Sequence, residues 1–176
     1  NEAVLTIGSY DGLHRGHQEV INRVVTTAKA LNTKSVVVTF DPHPKKVVSG
    51  KDDFELLMHI DKKLELLDFM GVDITLVVPF DSEFSSTSAP EFLESVIVNK
   101  FNPAKIIVGY DHRFGHNREG DGEFLQVQSS NYGYDLDIVS GVGDQDVIYS
   151  SSRVRKLIKE GHVQRASYDL GWVYGF

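Results

Sequence analysis

The chain alternates short apolar runs with stretches whose apolar residues recur at helical spacing. The apolar runs are rich in β-branched residues and apolar on both faces, which is typical of strands in a parallel sheet covered on both sides. They predict strands over residues 4–7, 35–40, 74–80, 105–109 and 136–140.

Helices are predicted between these strands and after the last one. The clearest covers residues 17–31, where six apolar side chains share one face: Val20, Ile21, Val24, Val25, Ala28 and Leu31. A second opens at Asp61 and is capped by Gly71, with three residues expected to point inward: Leu64, Leu67 and Phe69. Ser88 and Glu91 form a capping box that begins a helix through residue 98. Further helices are predicted near residues 122–131 and, as two short ones, over residues 151–170.

Strand–helix alternation with short links predicts an α/β fold, in which helices cover both faces of a parallel sheet. Right-handed crossovers then give a doubly wound, Rossmann-like arrangement. The sequence shows no internal repeat and no interdomain linker, so residues 1–176 are expected to form a single domain.

Composition narrows the class of protein. Apolar residues make up 41% and charged residues 24% of the chain, which excludes a disordered protein. No apolar run reaches the roughly 18 residues of a membrane span, and the start of the chain is unlike a signal peptide. A net charge of −7 argues against nucleic acid as a partner. The absence of cysteine excludes thiolate chemistry and fits a cytoplasmic location.

Unusual polar segments follow four of the predicted strands. GSYDGLHRGH (8–17) follows the first strand, DPHP (41–44) the second, GYDHRFG (109–115) the fourth, and SSSRVR (150–155) the fifth after a loop. In a doubly wound sheet, ligands bind beyond the carboxyl ends of the strands. These segments are therefore expected to meet at one site.

The first segment places two histidines at the start of the first helix. His14 and His17 are three residues apart and share a helix face. Gly16 between them allows a ligand to approach the backbone closely, and free amides at a helix start favour phosphate. A metal pair and plain surface histidines are the alternatives. No cysteine and no carboxylate at ligand spacing accompanies them.

The last segment repeats this arrangement at a second helix start. Three serines precede Arg153 and Arg155, and serine is a common N-cap, so simple capping is one interpretation. Two arginines near a helix start oppose the helix dipole, however, unless an anion binds there. Because arginine binds phosphate bidentately, we favour a phosphate site.

Together these segments resemble the nucleotidyltransferase superfamily. The set GSYDGLHRGH, TFDPHP, VGYDHRFG and SSSRVR, with the terminal LGWVY, is similar to the FMN adenylyltransferase (FAD synthetase) module of bacterial bifunctional riboflavin kinase/FAD synthetases. The resemblance covers nearly all 176 residues in the family's order. It implies adenylyl transfer from ATP to FMN, which gives FAD and pyrophosphate, with Mg²⁺ accompanying ATP and no protein metal site.

The resemblance also implies roles for individual residues. Catalysis is expected of His14, His17 and Arg155, with Ser150, Ser151, Ser152 and Arg155 on the β- and γ-phosphates. The other nucleotide-binding residues are expected to be Gly8, Tyr10, Asp11, Gly16 and Asp111. The flavin side is expected to include Asp41, Pro42, His43, Pro44 and Arg113. The two prolines restrict the backbone around His43, although without the family a strand-ending turn with an incidental histidine would be the simpler interpretation.

The sequence departs from the family pattern at several positions. Ser9 and Tyr10 stand where Asn-Phe is usual, Tyr149 where isoleucine is common, and Ser152 where threonine is common. His112 stands where phenylalanine is common and either alters flavin packing or faces solvent.

Several smaller questions stay open. The group His112, Arg113, His116 and Arg118 is either an anion site or a solvated loop. Lys62 and Lys63 are expected on a solvated surface. Residues 170–176 resemble the family's junction to its kinase domain, which these residues do not include, so no riboflavin kinase activity is expected of them. Two other functions remain: a related nucleotidyltransferase with another phosphate acceptor, and a flavin or nucleotide binder without turnover.

Overall fold

The computed structural model describes residues 2–50, 54–144 and 147–174, so Gly175 and Phe176 of the predicted junction lie outside the described residues. Five parallel strands form the central sheet: β1 (Ala3–Ile7), β2 (Lys34–Asp41), β3 (Ile74–Pro79), β4 (Pro103–Gly109) and β5 (Asp135–Val139). Their order is β3-β2-β1-β4-β5. The chain thus winds outward from β1 in both directions and leaves a crevice beyond the carboxyl ends of β1 and β4.

Seven helical segments accompany the strands. They are α1 (Arg15–Ala30), α2 (Pro44–Ser49), α3 (Ile60–Phe69), α4, α5 (Gly122–Tyr132), α6 (Ser151–Lys159) and α7 (Val163–Leu170). Here α4 comprises Ala89–Phe92, a π-helical stretch Leu93–Val98 and a final turn Asn99–Phe101. Short 3₁₀ turns at Phe84–Ser86 and His116–Arg118, and an antiparallel pair of β6 (Gly143–Asp144) and β7 (Val147–Ile148), complete the described elements. Within these ranges no helix is long and apolar enough to cross a membrane.

Helices cover both faces of the sheet, as the sequence predicted. On one face Val4 and Ile107 pack against the apolar stripe of α1, and Val37 packs against Ile21 of α1 and Leu67 of α3. On the opposite face the buried residues of β1, β2 and β4 pack against α4 and α5: Leu5, Ile7, Val36, Val38 and Ile106 meet Phe92, Leu93, Ile97 and Leu125. The doubly wound fold is therefore confirmed.

Helix α3 differs from the prediction in its inward face. Leu67 is fully buried and Leu64 half-buried, but Phe69 is 88% exposed. The buried stripe of α3 consists of Lys63 and Leu67, which are four residues apart and so lie on one helix face. Phe69 is two residues beyond Leu67 and therefore points away from the sheet. The expectation that Lys63 lies on a solvated surface is wrong.

The turn expected at DPHP continues directly into helix α2, which the sequence analysis did not predict. His43 is its N-cap, and the Nδ1 atom of His43 accepts a hydrogen bond from the backbone N–H of Lys45 at 3.1 Å. Pro44 occupies the first helical turn, where it costs no hydrogen bond. A histidine cap and a helix of only six residues give a weak sequence signal.

Candidate active site

A cavity of about 710 Å³ lies beyond the carboxyl ends of the strands and is lined by all four polar segments. Twelve of the predicted site residues line it: Gly8, Tyr10, His14, Gly16, His17, His43, Pro44, Asp111, Arg113, Ser150, Ser151 and Ser152. The other predicted residues, Asp11, Asp41, Pro42 and Arg155, are not among its lining residues. Most of the predicted site residues therefore lie around one cavity, although they come from distant segments of the chain.

The start of α1 brings the two histidines together. His14 is the N-cap, and its Nδ1 accepts a hydrogen bond from the backbone N–H of His17 at 3.4 Å. The two imidazole rings stack with centroids 3.6 Å apart. A side chain at Gly16 would begin 3.1 Å from the His14 ring, so glycine leaves room for this stack.

Both histidines are neutral in the folded protein. Burial lowers the pKa of His14 to about 4. Burial, with the nearby His14 and Lys63, lowers the pKa of His17 well below its usual value. The Nδ1 atom of His17 is buried and has no hydrogen-bond partner among the residues that the structure describes. The two rings therefore serve as neutral hydrogen-bonding groups rather than as fixed cations.

Tyr10 forms the support under His17. Its ring meets the His17 ring edge-on at 5.1 Å, and its hydroxyl oxygen lies 2.5 Å from the Thr6 hydroxyl oxygen. A side chain on Gly8 would begin 2.9 Å from the Tyr10 ring, so glycine is required at this close approach. The predicted role of these residues in shaping the loop is thus matched by contacts that hold His17.

The start of α6 lies beside the start of α1. Ser150 caps α6 by accepting the backbone N–H of Arg153 at 3.2 Å. The Ser151 hydroxyl donates to the backbone carbonyl of Asp11 at 2.8 Å, which ties α6 to the loop after β1. A methyl group at Gly16 would lie 3.7 Å from the carbonyl oxygen of Tyr149. Two helix N-termini therefore face one cavity, and helix N-termini favour anions.

The two arginines of α6 are paired with carboxylates of the protein itself. The Arg153 guanidinium contacts the buried carboxylate of Asp169 at 2.6 Å. Arg155 forms an ion pair with Asp11, and its Nε donates to the carbonyl oxygen of Glu55 at 2.8 Å. The sequence argument required an anion near these arginines, and the fold supplies two carboxylates. In this structure the Arg155 guanidinium is engaged behind the cavity wall.

Of the four DPHP residues predicted on the flavin side, two line the cavity and two do not. His43 is buried and its ring lies 4.6 Å from that of Phe54, while burial lowers the pKa of His43 to about 4. Pro44 also lines the cavity. Asp41 and Pro42, which are joined by a cis peptide bond, are exposed.

An aromatic wall beside His43 was missed by the sequence analysis. It comprises five cavity-lining phenylalanines: Phe40, Phe80, Phe84, Phe92 and Phe114. Phe40 meets Phe80 at 5.7 Å and Phe92 at 6.1 Å between ring centroids. These residues come from distant parts of the chain, and each is an ordinary core residue in its own segment. Only a count of phenylalanines near the carboxyl ends of strands would have indicated them.

His112 lies in the cavity wall rather than in solvent. Its ring stacks on Phe114 with centroids 5.4 Å apart, and burial lowers its pKa to about 4. The Nε2 atom is buried without a hydrogen-bond partner in the described part of the chain. Arg113 faces Asp121 at 3.5 Å. The group His112, Arg113, His116 and Arg118 is therefore not uniformly cationic, because His112 is neutral and Arg113 is paired with Asp121.

Fold and site together define an α/β nucleotide-binding protein of the nucleotidyltransferase type. The sequence model of the FAD synthetase family matches residues 1–153, and the chain belongs to this family. The resemblance inferred from the motifs is thereby confirmed.

Several relatives align with most of this chain. The bifunctional riboflavin kinase/FMN adenylyltransferase of Escherichia coli strain K12 is 32% identical over 96% of this chain and 54% of that protein. The Buchnera aphidicola (Schizaphis graminum) protein of the same name is 30% identical over 97% and 55%. A Geobacillus thermodenitrificans relative, provisionally given that name, is 33% identical over 97% and 90%. The chain thus spans about half the length of the first two relatives.

A solved structure shares the fold. A Streptococcus pneumoniae crystal structure, described as that of a macrolide-efflux protein, superposes with a TM-score of 0.84 at 28% identity. The match covers 98% of this chain and 56% of that one. The likeness extends to the whole sheet and its covering helices.

Proposed function

We propose that this protein transfers the adenylyl group of ATP to FMN and forms FAD and pyrophosphate. The observation that carries the proposal is a single cavity with two different walls. One wall combines the N-termini of α1 and α6, which suit phosphates. The other combines His43 with the phenylalanines, which suit a flat aromatic ring system.

The reaction needs no protein nucleophile. A phosphate oxygen of FMN attacks the α-phosphorus of ATP in line, a new P–O bond forms, and the bond to the pyrophosphate oxygen breaks. Negative charge is redistributed over the phosphoryl oxygens during this step. The protein aligns two anionic substrates and stabilises that charge with preorganised donors.

The proposed roles are those that the family resemblance implies, and the positions of most of the residues around the cavity support them. Neutral His14 and His17 donate hydrogen bonds to the triphosphate, and the amides and hydroxyls of Ser150, Ser151 and Ser152 bind the β- and γ-phosphates. Gly8, Tyr10, Asp11 and Gly16 shape the loop, and Asp111 faces the nucleoside. His43, Pro44 and Arg113 border the flavin, with Asp41 and Pro42 fixing the turn behind them. Arg155 reaches phosphate only if its guanidinium turns away from Asp11.

Further elements of the proposal come from the family. Mg²⁺ accompanies ATP and neutralises phosphate charge, held mainly by phosphate oxygens. Among residues outside the undescribed gaps, no group of three carboxylates or histidines is arranged to hold a metal ion. The proposal includes a riboflavin kinase domain linked to this one, since the names of the relatives give both activities. It also includes a cytoplasmic location.

One assay tests the function. The protein is incubated with FMN, ATP and Mg²⁺, FAD is followed by chromatography, and pyrophosphate is followed by a coupled reaction. FAD and pyrophosphate in equal amounts are expected. Product only from a pantetheine or cytidylyl substrate would indicate a related transferase, and tight FMN or ATP binding without product would indicate a binding module.

A further inference from the structure

Lys63 is a buried cation directly behind the cavity wall. It lies on α3, is 5% exposed, and follows the exposed Lys62. Its ammonium donates to the backbone carbonyl oxygen of Ser9 at 2.7 Å and to the hydroxyl of Thr39 at 3.4 Å. Thr39 in turn donates to the same Ser9 carbonyl at 3.3 Å. The lysine therefore binds the ends of β1 and β2 together.

The partners of this ammonium are neutral. Within the described ranges, both of its hydrogen-bond acceptors are uncharged oxygens and it makes no ion pair. Burying a charge with only neutral partners is costly, and burial lowers the pKa of Lys63. Asp11 and Asp41 act on Lys63 as more distant negative charges. A bound anion nearby would offset part of this cost.

The ammonium lies close to both proposed walls of the cavity. Ser9 lines the cavity, so the ammonium lies one hydrogen bond behind its wall. The positive charge also acts on His17, which belongs to the phosphate wall, and on His43, which belongs to the flavin wall. The loop after β1 that contains Ser9 is tied to α6 by the hydrogen bond from the Ser151 hydroxyl to the Asp11 carbonyl. Lys63 thus lies where the two walls meet, and in the proposed function the phosphate of FMN meets the triphosphate at that place.

We propose that Lys63 is a positioning residue that provides the fixed positive charge for the phosphate of the acceptor substrate, FMN, through the Ser9 loop. This inference rests on the proposed function, because that function brings the phosphate of FMN to the triphosphate where the two walls meet. The residue is expected to distinguish a phosphorylated flavin from riboflavin, which has the same ring system without the charge. It acts without touching the flavin ring.

Equilibrium binding without ATP tests this role. Affinities for FMN and riboflavin are measured by flavin fluorescence for the unaltered protein and for Lys63→Gln, Lys63→Arg and Lys62→Gln. In Lys63→Gln, which keeps a donor for Ser9 but loses the charge, FMN binding is expected to weaken roughly tenfold or more. Riboflavin binding is expected to change less than about twofold. Lys63→Arg should retain FMN affinity, and the exposed neighbour Lys62→Gln should match the unaltered protein.

Other outcomes would overturn the inference. Equal losses for FMN and riboflavin in Lys63→Gln would show that the lysine only holds the loop, as would failure of both Lys63 variants to fold in a thermal melt. ATP affinity is measured separately for the same variants, and a loss of affinity confined to ATP would assign the charge to the other substrate. The result is separable from the proposed reaction, because an unaltered protein that binds FMN in preference to riboflavin but forms no FAD refutes only the reaction.

Discussion

At the scale of single residues, the cavity depends on histidines kept neutral by burial. His14 and His17 stack at 3.6 Å, a separation that two imidazolium ions would not tolerate. Their orientation is fixed, since His14 caps α1 and Tyr10 supports His17, and this suits the proposed role as hydrogen-bond donors. A preorganised neutral donor stabilises developing phosphoryl charge without changing its own protonation.

Replacing His17 tests that role. In His17→Ala, kcat for FAD formation is expected to fall by roughly 10²–10³-fold, as for loss of an oxyanion donor, with KM for both substrates nearly unchanged. Steady-state kinetics measures both constants. His59→Ala is the matched control, because His59 is exposed and its side chain makes no capping hydrogen bond. Turnover unaltered by His17→Ala would remove His17 from the mechanism.

Burying the His112 ring costs free energy of folding, because one of its nitrogens has no described hydrogen-bond partner, and phenylalanine would remove this cost. His112→Phe eliminates a buried nitrogen without a described partner and keeps the stack on Phe114. The free energy of unfolding at pH 7 is expected to rise by about 1 kcal/mol. Urea unfolding measures it, with the exposed His162→Phe as control. A less stable His112→Phe variant would mean that the imidazole makes a contact whose stabilisation exceeds the free-energy cost of burying its nitrogen.

At the scale of elements, the C-terminal helix holds both helix N-termini in place. The buried carboxylate of Asp169 binds Arg153 of α6 at 2.6 Å and Arg165 of α7 at 3.0 Å. Trp172 donates its indole N–H to the carbonyl of Gly12 at 3.0 Å, and Gln18 of α1 donates to the carbonyl of Leu170 at 2.6 Å. The relative placement of α1 and α6 is therefore set by residues 169–172.

Loss of the Asp169 charge should loosen this arrangement. Asp169→Asn removes the carboxylate from Arg153 and leaves Arg165 with Asp144 at 3.5 Å. The free energy of unfolding is expected to fall by about 2–3 kcal/mol. Asp135→Asn is the control, since the Asp135 side chain is 81% exposed and an exposed pair contributes about 0.5 kcal/mol. Chemical denaturation compares the two variants. Equal small effects would show that the Asp169 pairs contribute little to stability.

At the scale of the whole molecule, four buried or half-buried histidines couple folding to pH. Burial lowers the pKa of His14, His43 and His112 to about 4, and it lowers the pKa of His17 well below its usual value. Each has a pKa near 6.5 in the unfolded chain. Between these values the unfolded chain binds more protons than the folded protein does, so acid favours unfolding.

The stability of the protein should therefore depend on pH in a defined window. Above about pH 6.5 these histidines are neutral in both states and do not lower the free energy of unfolding. As the pH falls from there toward about 4, the free energy of unfolding decreases progressively. Urea midpoints between pH 7.5 and 4.5 measure the slope. His112→Phe should flatten it, because one of the four titrating groups is gone. A midpoint constant across this window would contradict the burial of these rings.

Much of the site was predictable because its parts are local in sequence. His14 and His17 lie at the start of α1, as the local sequence indicated, although His14 is the N-cap and not a helical residue. The serine cap of α6 follows from residue type. Lys63 and Phe69 were predicted wrongly, because the rotation of α3 about its axis depends on its contacts with the sheet and not on its own sequence alone. The sequence indicated that arginines and an anion meet near α6, but the anions proved to be Asp11 and Asp169.

The sequence by itself determined the alternation of strands and helices, the doubly wound sheet and the four polar segments at its carboxyl edge. Each of these follows from periodicity, capping and turn chemistry, which act between residues close in the chain. Tertiary structure alone decided which side chains face the cavity, how the arginines are paired, and that phenylalanines far apart in sequence form one wall. These are contacts between distant segments, and their energies depend on burial and distance, which no local pattern encodes.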